Sequence, residues 1–529
     1  MVAHVAELSL APGRKLGRTW EPALAPAVAA ALAVIAGIAG WRGSDLPAAL
    51  YRISLFHRHG LTLWDSQWYG GHWTLDYSVI FPPVAGIIGV QVTEVLGVAI
   101  AALAFDRLAV RALGRSARVG SIAFALGTLV QVAIGQLPFL MGEAFGLSAL
   151  WAATRGHWRV AALLAACAAL ASPLAGAFVA LAALAWLLSE WPARRGQLIP
   201  LIGAALIPVG ALSLLFPGQG AMPFPFKAWA FSLVVYAAAA LLLPPKARVL
   251  RIACALYLGA FVMSFVLHTP VGGNVERLGE AFGPGIAAIA LWPARRLLLA
   301  VIAVPLIILQ WGPALAAMST NRVDPSTKQA YYTPLVQFLG AHATPPGRVE
   351  IVPTLLHWEV AYAAPTIPLA RGWERQLDTA DNPLFYNEAP LTAATYDAWL
   401  LDNGVRYVAL PDAKLDYAGN AEGKLVRAGV PGLTLVWRDA HWRVYSVTGA
   451  TGIVSGPATP VLIDGGEVDL NATAPGTVLV RVRYNTHWSV VTGSACLSKD
   501  PGGWLRVRTT APGPVHLQLR LVGPVDDSC

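Results

Sequence analysis

Side chains suited to binding a polar ring are concentrated in the segment 63–73, which reads LWDSQWYGGHW. Aromatic faces stack on such rings, and carboxylate and imidazole groups hydrogen-bond to ring hydroxyls. The alternative is an interfacial aromatic belt that only anchors the segment to lipid headgroups. Because a belt requires no acid or histidine, the mixture favours binding. The candidate binding residues are Trp64, Trp68, Tyr69 and His72, and Asp65 is a candidate catalytic carboxylate.

A second carboxylate of interest, Asp45, directly precedes Leu46 and Pro47. An acid in this position is typical of a helix N-cap, where it accepts hydrogen bonds from free backbone N–H groups and favours the helix dipole. The same carboxylate could act as a catalytic base, and from spacing alone both interpretations stay open. The apolar spacing from Leu46 to Phe56 predicts a helix along a membrane interface, with Arg52 off its apolar stripe.

Two further stretches place charged residues beside apolar segments, where charge is costly. In GQLPFLMGEAFGL, Glu143 lies near the end of a predicted span, where a carboxylate indicates function or a buried partner. In TPVGGNVERLGEAFGPG, the candidate binding residues are Asn274, Glu276 and Arg277. The Arg277 guanidinium suits a lipid phosphate. A salt bridge to a neighbouring glutamate, or snorkelling to headgroups, is the structural alternative.

A polar cluster lies later in the chain, in HWEVAYAAPTIPLARGWERQLD at 357–378. Its candidate residues are Arg371, Glu374 and Arg375. They could cap a cavity in the apolar half or bind a glycan acceptor. The alternative is a solvated surface with ordinary salt bridges.

Composition excludes an ordinary soluble protein, because 56% of the 529 residues are hydrophobic, 13% are charged and the mean hydropathy is +0.55. About eleven apolar segments predict a polytopic helical membrane domain over 1–312, with a long outer loop at 42–82. Basic residues concentrate in alternate loops, beginning with Arg14, Lys15 and Arg18. The positive-inside rule therefore predicts a cytosolic N-terminus. The net charge of +8 is explained by these loops and requires no nucleic-acid partner.

The chain changes character after residue 312. Short β-branched segments such as VRYVALP and TVLVRVRY lie between turn residues and predict strands. They indicate an α/β domain over 313–450 and a β-sandwich over 451–529. An odd number of spans places both domains outside the cytoplasm. In that environment Cys496 and Cys529 could form a disulfide.

The segments GSDLPAALYR, LWDSQWYGGHW, YSVIFPP, GQLPFLMGEAFGL and ASPLAG resemble the GT-C superfamily of membrane glycosyltransferases. So does the order of a first span, an acid, a long outer loop, many short spans and a C-terminal outer domain. The strand-rich end, with YNTHWSV and GSAC, resembles the uncharacterised bacterial YfhO-like branch. The resemblance covers most of residues 20–312 in architecture and rests on short motifs.

The resemblance implies transfer of a sugar from a polyprenyl-phosphate donor to a glycan or lipid acceptor at the outer face of the bacterial cytoplasmic membrane. It implies Asp45 as the general base, with Asp65 as second choice, while Arg277 and Arg52 would stabilise the departing lipid phosphate. Asp45 is followed by Leu46, whereas some family members have an adjacent acid pair. The sequence therefore assigns no metal ligands and leaves open whether a divalent cation takes part. Direct attack would invert the anomeric carbon.

Two other classes of protein remain as alternatives. A multi-pass transporter fits the predicted spans and Glu143, but the spans show no repeat in two halves and transporters seldom carry so long an outer domain. A non-catalytic cell-envelope assembly protein would keep the fold without the chemistry.

Overall fold

The computed structural model of the protein describes residues 23–292, 295–386, 390–521 and 529. The described chain up to Val323 consists of apolar helices joined by loops. In chain order these are α1 (Leu24–Ile38), α2 (Leu46–His59), α3 (Phe81–Ile88), α4 (Val90–Leu113), α5 (Arg118–Ile134), α6 (Leu137–Thr154), α7 (Trp158–Ala171), α8 (Pro173–Ser189), α9 (Arg195–Leu215), α10 (Phe226–Leu241), α11 (Arg248–Val266), α12 (Glu276–Leu291) and α13 (Arg296–Val323).

Every apolar segment of the sequence is helical, but the count of about eleven spans is not confirmed. Among the described residues, five helices are long and apolar enough to cross a membrane, or six if α3 and α4 form one bent span. The five are Arg115–Ile134, Leu137–Thr154, Arg195–Leu215, Arg248–Val266 and Arg296–Asn321. The helices α1, α7, α8 and α10 are apolar but shorter. The basic residues Arg14, Lys15 and Arg18 lie outside the described residues.

The predicted second span is broken rather than continuous. The axes of α3 and α4 differ by 114°, and the break falls at Gly89, whose φ of 90° and ψ of 148° lie in a region used almost solely by glycine. The sequence predicts that the apolar half ends at residue 312, whereas helix α13 continues to Val323.

Helix α2 is enclosed by protein on two sides, unlike the interfacial helix predicted from its apolar stripe. Ala49 and Ile53 pack in one core with Phe81 of α3. Ala48 and Tyr51 belong to a second core formed mainly by residues after 330. The helix therefore joins the apolar helical part to the C-terminal part.

The first C-terminal region is a mixed four-stranded sheet with helices around it. Its strand order is β3-β4-β6-β5, in which β3 and β4 are parallel and the other neighbours are antiparallel. Helix α17 ends near Asn403, and Gly404 at a φ of 66° leads into the largely buried strand β4, as the sequence predicts. The elements are α14 (Gln329–Ala341), β3 (Arg348–Ile351), α15 (Glu359–Tyr362), α16 (Arg375–Asp381), α17 (Ala393–Asp402), β4 (Val405–Pro411), α18 (Asn420–Ala428), β5 (Leu433–Arg438) and β6 (Trp442–Val447).

The second C-terminal region contains two antiparallel four-stranded sheets, ordered β12-β13-β10-β7 and β11-β14-β9-β8. Alternating side chains from both sheets, such as Val480 and Leu517, share one buried core. Cys496 and Cys529 form a disulfide. The strands are β7 (Val454–Ser455), β8 (Ala458–Asp464), β9 (Glu467–Ala472), β10 (Gly476–Arg483), β11 (Trp488–Thr492), β12 (Ala495–Lys499), β13 (Trp504–Thr509) and β14 (Gly513–Leu519).

The aromatic segment after α2 forms a small hairpin that inserts into both C-terminal regions. Its strands are β1 (Trp64–Asp65) and β2 (His72–Trp73). Trp64 and Trp73 belong to the core of the two-sheet region, whereas Trp68 and Tyr69 belong to the core of the mixed-sheet region. The hairpin is thus the connection shared by the main parts of the molecule.

The bend at Gly89 gives a test of this backbone geometry. A Cβ at Gly89 would meet no atom within 4 Å, so Gly89→Ala should destabilise the protein through backbone strain alone, by roughly 1–3 kcal/mol. We expect a lower midpoint of thermal unfolding in detergent. Gly259→Ala is the matched control, because Gly259 also has open space around it but lies within α11. An equal loss of stability from both substitutions would contradict the special backbone conformation at Gly89.

Candidate functional site

Asp45 and Arg277 form an ion pair at the junction of the helical part and the mixed-sheet region. Arg277 Nη2 lies 3.3 Å from Asp45 Oδ2, and the Ser44 hydroxyl donates to Asp45 Oδ1 at 3.1 Å. The Asp45 side chain is 14% exposed and the Arg277 side chain is 17% exposed, so a ligand can reach both. The N-cap interpretation is not realised, because the Asp45 side chain makes no capping hydrogen bond to α2.

Opposing effects set the proton affinity of Asp45. Burial raises the pKa of its carboxyl group, and this effect outweighs the Arg277 charge, the Ser44 hydrogen bond and the charge of His357, which all lower it. The result is a carboxylate that is more basic than an exposed aspartate. The backbone N–H of Asp45 donates to Ile134 O at 3.0 Å, which fixes the residue against the end of α5.

A second ion pair, between Arg52 and Glu374, lies beside the first. Arg52 projects from α2 and pairs with Glu374 of the mixed-sheet region, and both side chains are at least nine-tenths buried. Tyr69 donates its hydroxyl to Glu374 O at 3.0 Å. The Trp373 indole donates to Ser44 O at 2.7 Å, which links the two pairs.

Tyr77 and Asp76 complete this crevice. The Arg52 guanidinium carbon lies 4.0 Å from the centre of the Tyr77 ring, and Tyr77 meets the Trp373 ring edge-on. Burial, reinforced by the charge of Glu374, raises the pKa of Asp76 well above its usual range. This carboxyl group therefore keeps its proton to higher pH than an exposed aspartate does.

An apolar cavity of about 690 Å³ lies within the helical part, and its lining includes residues that neighbour Arg277. Its walls come from α4, α6, α8, α10, α11 and α12, with one residue of α13. Phe139 and Leu278 line it, and the Arg277 guanidinium lies 5.7 Å from the Phe139 ring centre. Glu143 also lines the cavity and accepts a hydrogen bond from Gln131 Nε2 at 2.7 Å. The apolar cavity therefore approaches Arg277 at Phe139 and Leu278, although Asp45 and Arg277 are not among its lining residues.

Asn274 and Glu276 lie near Arg277 but do not join it in the ion pair with Asp45. Asn274 belongs to the one-turn helix Gly272–Val275 that precedes α12. Glu276 accepts a hydrogen bond from the Ser232 hydroxyl of α10. Of the three residues selected in this stretch, only Arg277 is brought to Asp45.

The aromatic hairpin holds the structure together instead of presenting an open wall. Trp64, Trp68 and Tyr69 are each at most 4% exposed. Trp68 stacks between the rings of Tyr51 and His72, at centroid distances of 4.3 and 5.3 Å. These side chains have protein neighbours on the faces that a sugar would require.

Asp65 and His72 are enclosed in the same hairpin. Asp65 is fully buried and accepts hydrogen bonds from the Tyr51 hydroxyl at 2.7 Å and the Gln67 backbone N–H at 3.1 Å. Burial and the nearby Arg52 charge lower the pKa of His72 to about 3, so its imidazole is neutral. The structure does not bring either side chain to the Asp45–Arg277 pair.

Arg371 is enclosed by carboxylates. It lies 2.6 Å from Asp378, 3.1 Å from Glu422 and 3.8 Å from Glu350, and all four side chains are nearly inaccessible. This guanidinium therefore balances buried acids and is not open to a ligand.

Arg375 belongs to a separate cluster with Asp416, Tyr386 and His357. Its guanidinium lies 3.0 Å from Asp416 and 3.4 Å from His357 Nε2, and it donates to the Tyr386 hydroxyl at 2.9 Å. Hydrogen bonds and charges from Asp416 and Glu359 raise the pKa of His357 to about 9, although burial opposes this. His357 also has a φ of 54°, a strained value for a non-glycine residue.

The carboxylates of the crevice do not form a metal-ligand set. No group of three or more His, Cys, Asp or Glu residues within the described ranges could hold a metal ion. The charged neighbour of Asp45 is the Arg277 guanidinium.

Sequence reasoning selected Asp45, Arg52, Arg277 and Glu374, and the structure brings all four to one crevice. It did not select Ser44, Asp76 or Tyr77 as site residues. Trp373 belongs to the polar stretch 357–378 and directly precedes Glu374, so the sequence already placed it near the site. The contacts of Tyr77 depend on how loops far apart in sequence meet.

Comparisons with known proteins give no family assignment, since no family model and no curated protein sequence matches this chain. The fold alone defines the class: a mostly helical protein with several helices able to cross a membrane by length and composition, followed by a β-rich region.

The buried acids around Arg371 give a prediction for stability against pH. Burial, and next the charge of Glu422, raise the pKa of Glu350 well above its usual range. A group of this kind contributes full stability below its unfolded pKa of about 4.5, and the contribution is lost as pH rises towards the folded pKa. Glu350→Gln should therefore raise the unfolding midpoint at pH 8 by roughly 2–4 °C and have less effect near pH 5.

Asp378→Asn is the control for this prediction. Burial opposes this, but the charge and hydrogen bonds of Arg371 lower the pKa of Asp378, so neutralisation of Asp378 should lower the midpoint. If Glu350→Gln raised the unfolding midpoint equally at pH 5 and pH 8, that result would contradict the raised pKa of Glu350.

Proposed function

We propose that the protein is a multi-pass glycosyltransferase of the bacterial cytoplasmic membrane, with a cytosolic N-terminus and extracytoplasmic C-terminal domains. It transfers a sugar from a polyprenyl-phosphate donor to a glycan or lipid acceptor. One observation carries the proposal: Phe139 lines an apolar cavity, Arg277 lies over the Phe139 ring, and Asp45 pairs with Arg277. The cavity suits a lipid tail, Arg277 suits a phosphate, and Asp45 suits a reacting hydroxyl.

The cavity suits the prenyl chain because its walls are mostly leucine, alanine, valine and phenylalanine side chains. A prenyl chain buried there gains roughly 25 cal/mol for each Å² of apolar surface removed from water. The other end of the cavity is lined by Arg111, Glu190 and Arg194. The lipid phosphate would then lie at Arg277, the guanidinium at the crevice end.

The chemistry needs one base and one cation. The acceptor hydroxyl oxygen forms a bond to the anomeric carbon, and the bond from that carbon to the phosphate oxygen breaks, leaving its electron pair on the lipid phosphate. Asp45 takes the hydroxyl proton, and Arg277 stabilises the charge that develops on the phosphate. Direct attack inverts the anomeric carbon.

The ion pair also links donor binding to the base. Arg277 lowers the pKa of Asp45 while the two are paired. A phosphate that takes hydrogen bonds from Arg277 weakens this pairing and makes Asp45 a stronger base. Arrival of the donor therefore prepares the carboxylate for proton transfer.

The direct test is transfer of radiolabelled sugar in membranes supplied with a panel of polyprenyl-phosphate sugars. Asp45→Asn keeps the side-chain shape but removes the base, so we expect transfer to fall by about 10²–10⁴-fold. Asp397→Asn is the control, because Asp397 is a partly buried aspartate on α17, away from the crevice. Transfer that survives Asp45→Asn would reject Asp45 as the base. No transfer with any donor, in folded protein, would favour the transporter or assembly-protein alternative.

The pH profile tests the proton affinity of the same carboxylate. Ser44→Ala removes a hydrogen bond that lowers the Asp45 pKa but keeps the Ser44 carbonyl that accepts from Trp373. The acid limb of kcat/KM should therefore move to higher pH, while the rate on the plateau stays similar. A shift to lower pH, or none, would contradict Asp45 as the titrating base.

A further inference from the structure

The crevice beside Asp45 contains two buried polar atoms that have no hydrogen-bonding partner among the described residues. These atoms are Arg52 Nη1 and Asp76 Oδ1. Arg52 as a whole is 4% exposed, and its other terminal nitrogen is engaged by Glu374. Because unpaired buried donors and acceptors cost free energy, such atoms commonly mark the position of a ligand.

The charges around these atoms favour an uncharged ligand. Arg52 and Glu374 neutralise each other as an ion pair. Burial and the charge of Glu374 raise the pKa of Asp76, which favours the protonated form of this carboxyl group. A protonated carboxyl both donates and accepts hydrogen bonds, which matches a hydroxyl group.

Aromatic rings lie next to the Arg52 guanidinium. The ring centres of Tyr77 and Trp373 lie 4.0 and 6.0 Å from the Arg52 guanidinium carbon. Both residues are only partly buried, in contrast to the enclosed tryptophans of the hairpin. Aromatic faces beside hydrogen-bonding groups are the combination that binds a sugar ring.

Two contacts define the position of this group relative to the reaction centre. Trp373 donates to the carbonyl of Ser44, the residue before Asp45. On the other side, the loop after α9 closes over Asp76, since a Cβ on Gly218 would lie 3.2 Å from Asp76 Oδ2. These polar and aromatic side chains therefore lie between Asp45 on one side and the loop that contains Gly218 on the other.

We infer that Arg52, Asp76, Tyr77 and Trp373 form the subsite that holds the sugar ring of the donor, and that this ring is uncharged and is held through its hydroxyl groups. The inference rests on the proposed function, because Arg277 must hold the donor phosphate for the ring to reach this position. Arg52 Nη1 donates to one hydroxyl, and Asp76 exchanges hydrogen bonds with another. The subsite assigns sugar selection to Arg52, Asp76, Tyr77 and Trp373, and not to the buried aromatic side chains of the hairpin.

The test compares the binding of two lipids to the purified full-length protein by native mass spectrometry in detergent. The probes are a polyprenyl phosphate and the same lipid carrying mannose, glucose or arabinose. We expect wild type to bind one sugar-bearing lipid at least roughly tenfold more tightly than the bare phosphate. Asp76→Ala should abolish this preference but keep the affinity for the bare lipid phosphate.

Two variants serve as controls. Asp76→Asn should keep the preference, because an amide also donates and accepts hydrogen bonds. Asp397→Ala should leave the preference unchanged, because Asp397 is also a partly buried aspartate with an unpartnered Oδ1 but lies on α17.

The outcomes separate this inference from the proposed function. Wild type that binds bare and sugar-bearing lipids equally would overturn the subsite alone. A preference that survives Asp76→Ala, or that Asp397→Ala removes to the same extent, would do so too. Wild type that binds neither kind of lipid would overturn both the subsite and the proposed glycosyltransferase.

Discussion

The buried hairpin at 64–73 imposes the main constraint on this structure, because its backbone polar groups must find partners away from water. Those partners come from both C-terminal regions. Gln67 O accepts from Leu369 N–H, Gly70 O accepts from Arg483 N–H, and the Ser66 hydroxyl donates to Gly465 O. Four aromatic side chains enter two separate cores from the same turn of chain. The hairpin therefore sets the relative positions of the helical part and both sheet regions.

The charged crevice depends on that attachment. Glu374 meets Arg52, and Trp373 meets Ser44, only when the mixed-sheet region is held against α2. A buried ion pair contributes little net stability against its desolvation, but loss of one partner is strongly unfavourable. The Arg52–Glu374 pair therefore serves mainly to fix how the mixed-sheet region sits against α2, and adds little to net stability. The polar groups beside Asp45 are a joint product of the apolar helices and the domain that covers them.

Parts of this arrangement can be predicted from sequence. Hydrophobicity located every apolar helix, and β-branched segments located strands such as β4 and β10, because burial imposes a pattern on neighbouring residues. The sequence did not predict the burial of the hairpin, because aromatic and polar residues suited to a sugar are equally suited to a buried connection between domains. The pairing of Asp45 with Arg277 joins residues 232 positions apart. Their types suggested chemistry, but local patterns carry no information on a contact of that range.

The hairpin also has a consequence for the order in which the protein can assemble. A ribosome releases residues 64–73 long before it has made Leu369, Gly465 and Arg483, whose groups pair with the hairpin. Contacts of such sequence separation form late, because a long loop must close before they contribute. Until then the exposed tryptophans of the nascent chain offer an adhesive surface to other apolar segments. Assembly of this protein should therefore depend on protection of this early segment during synthesis, and a chain truncated before Leu369 would leave that surface unprotected.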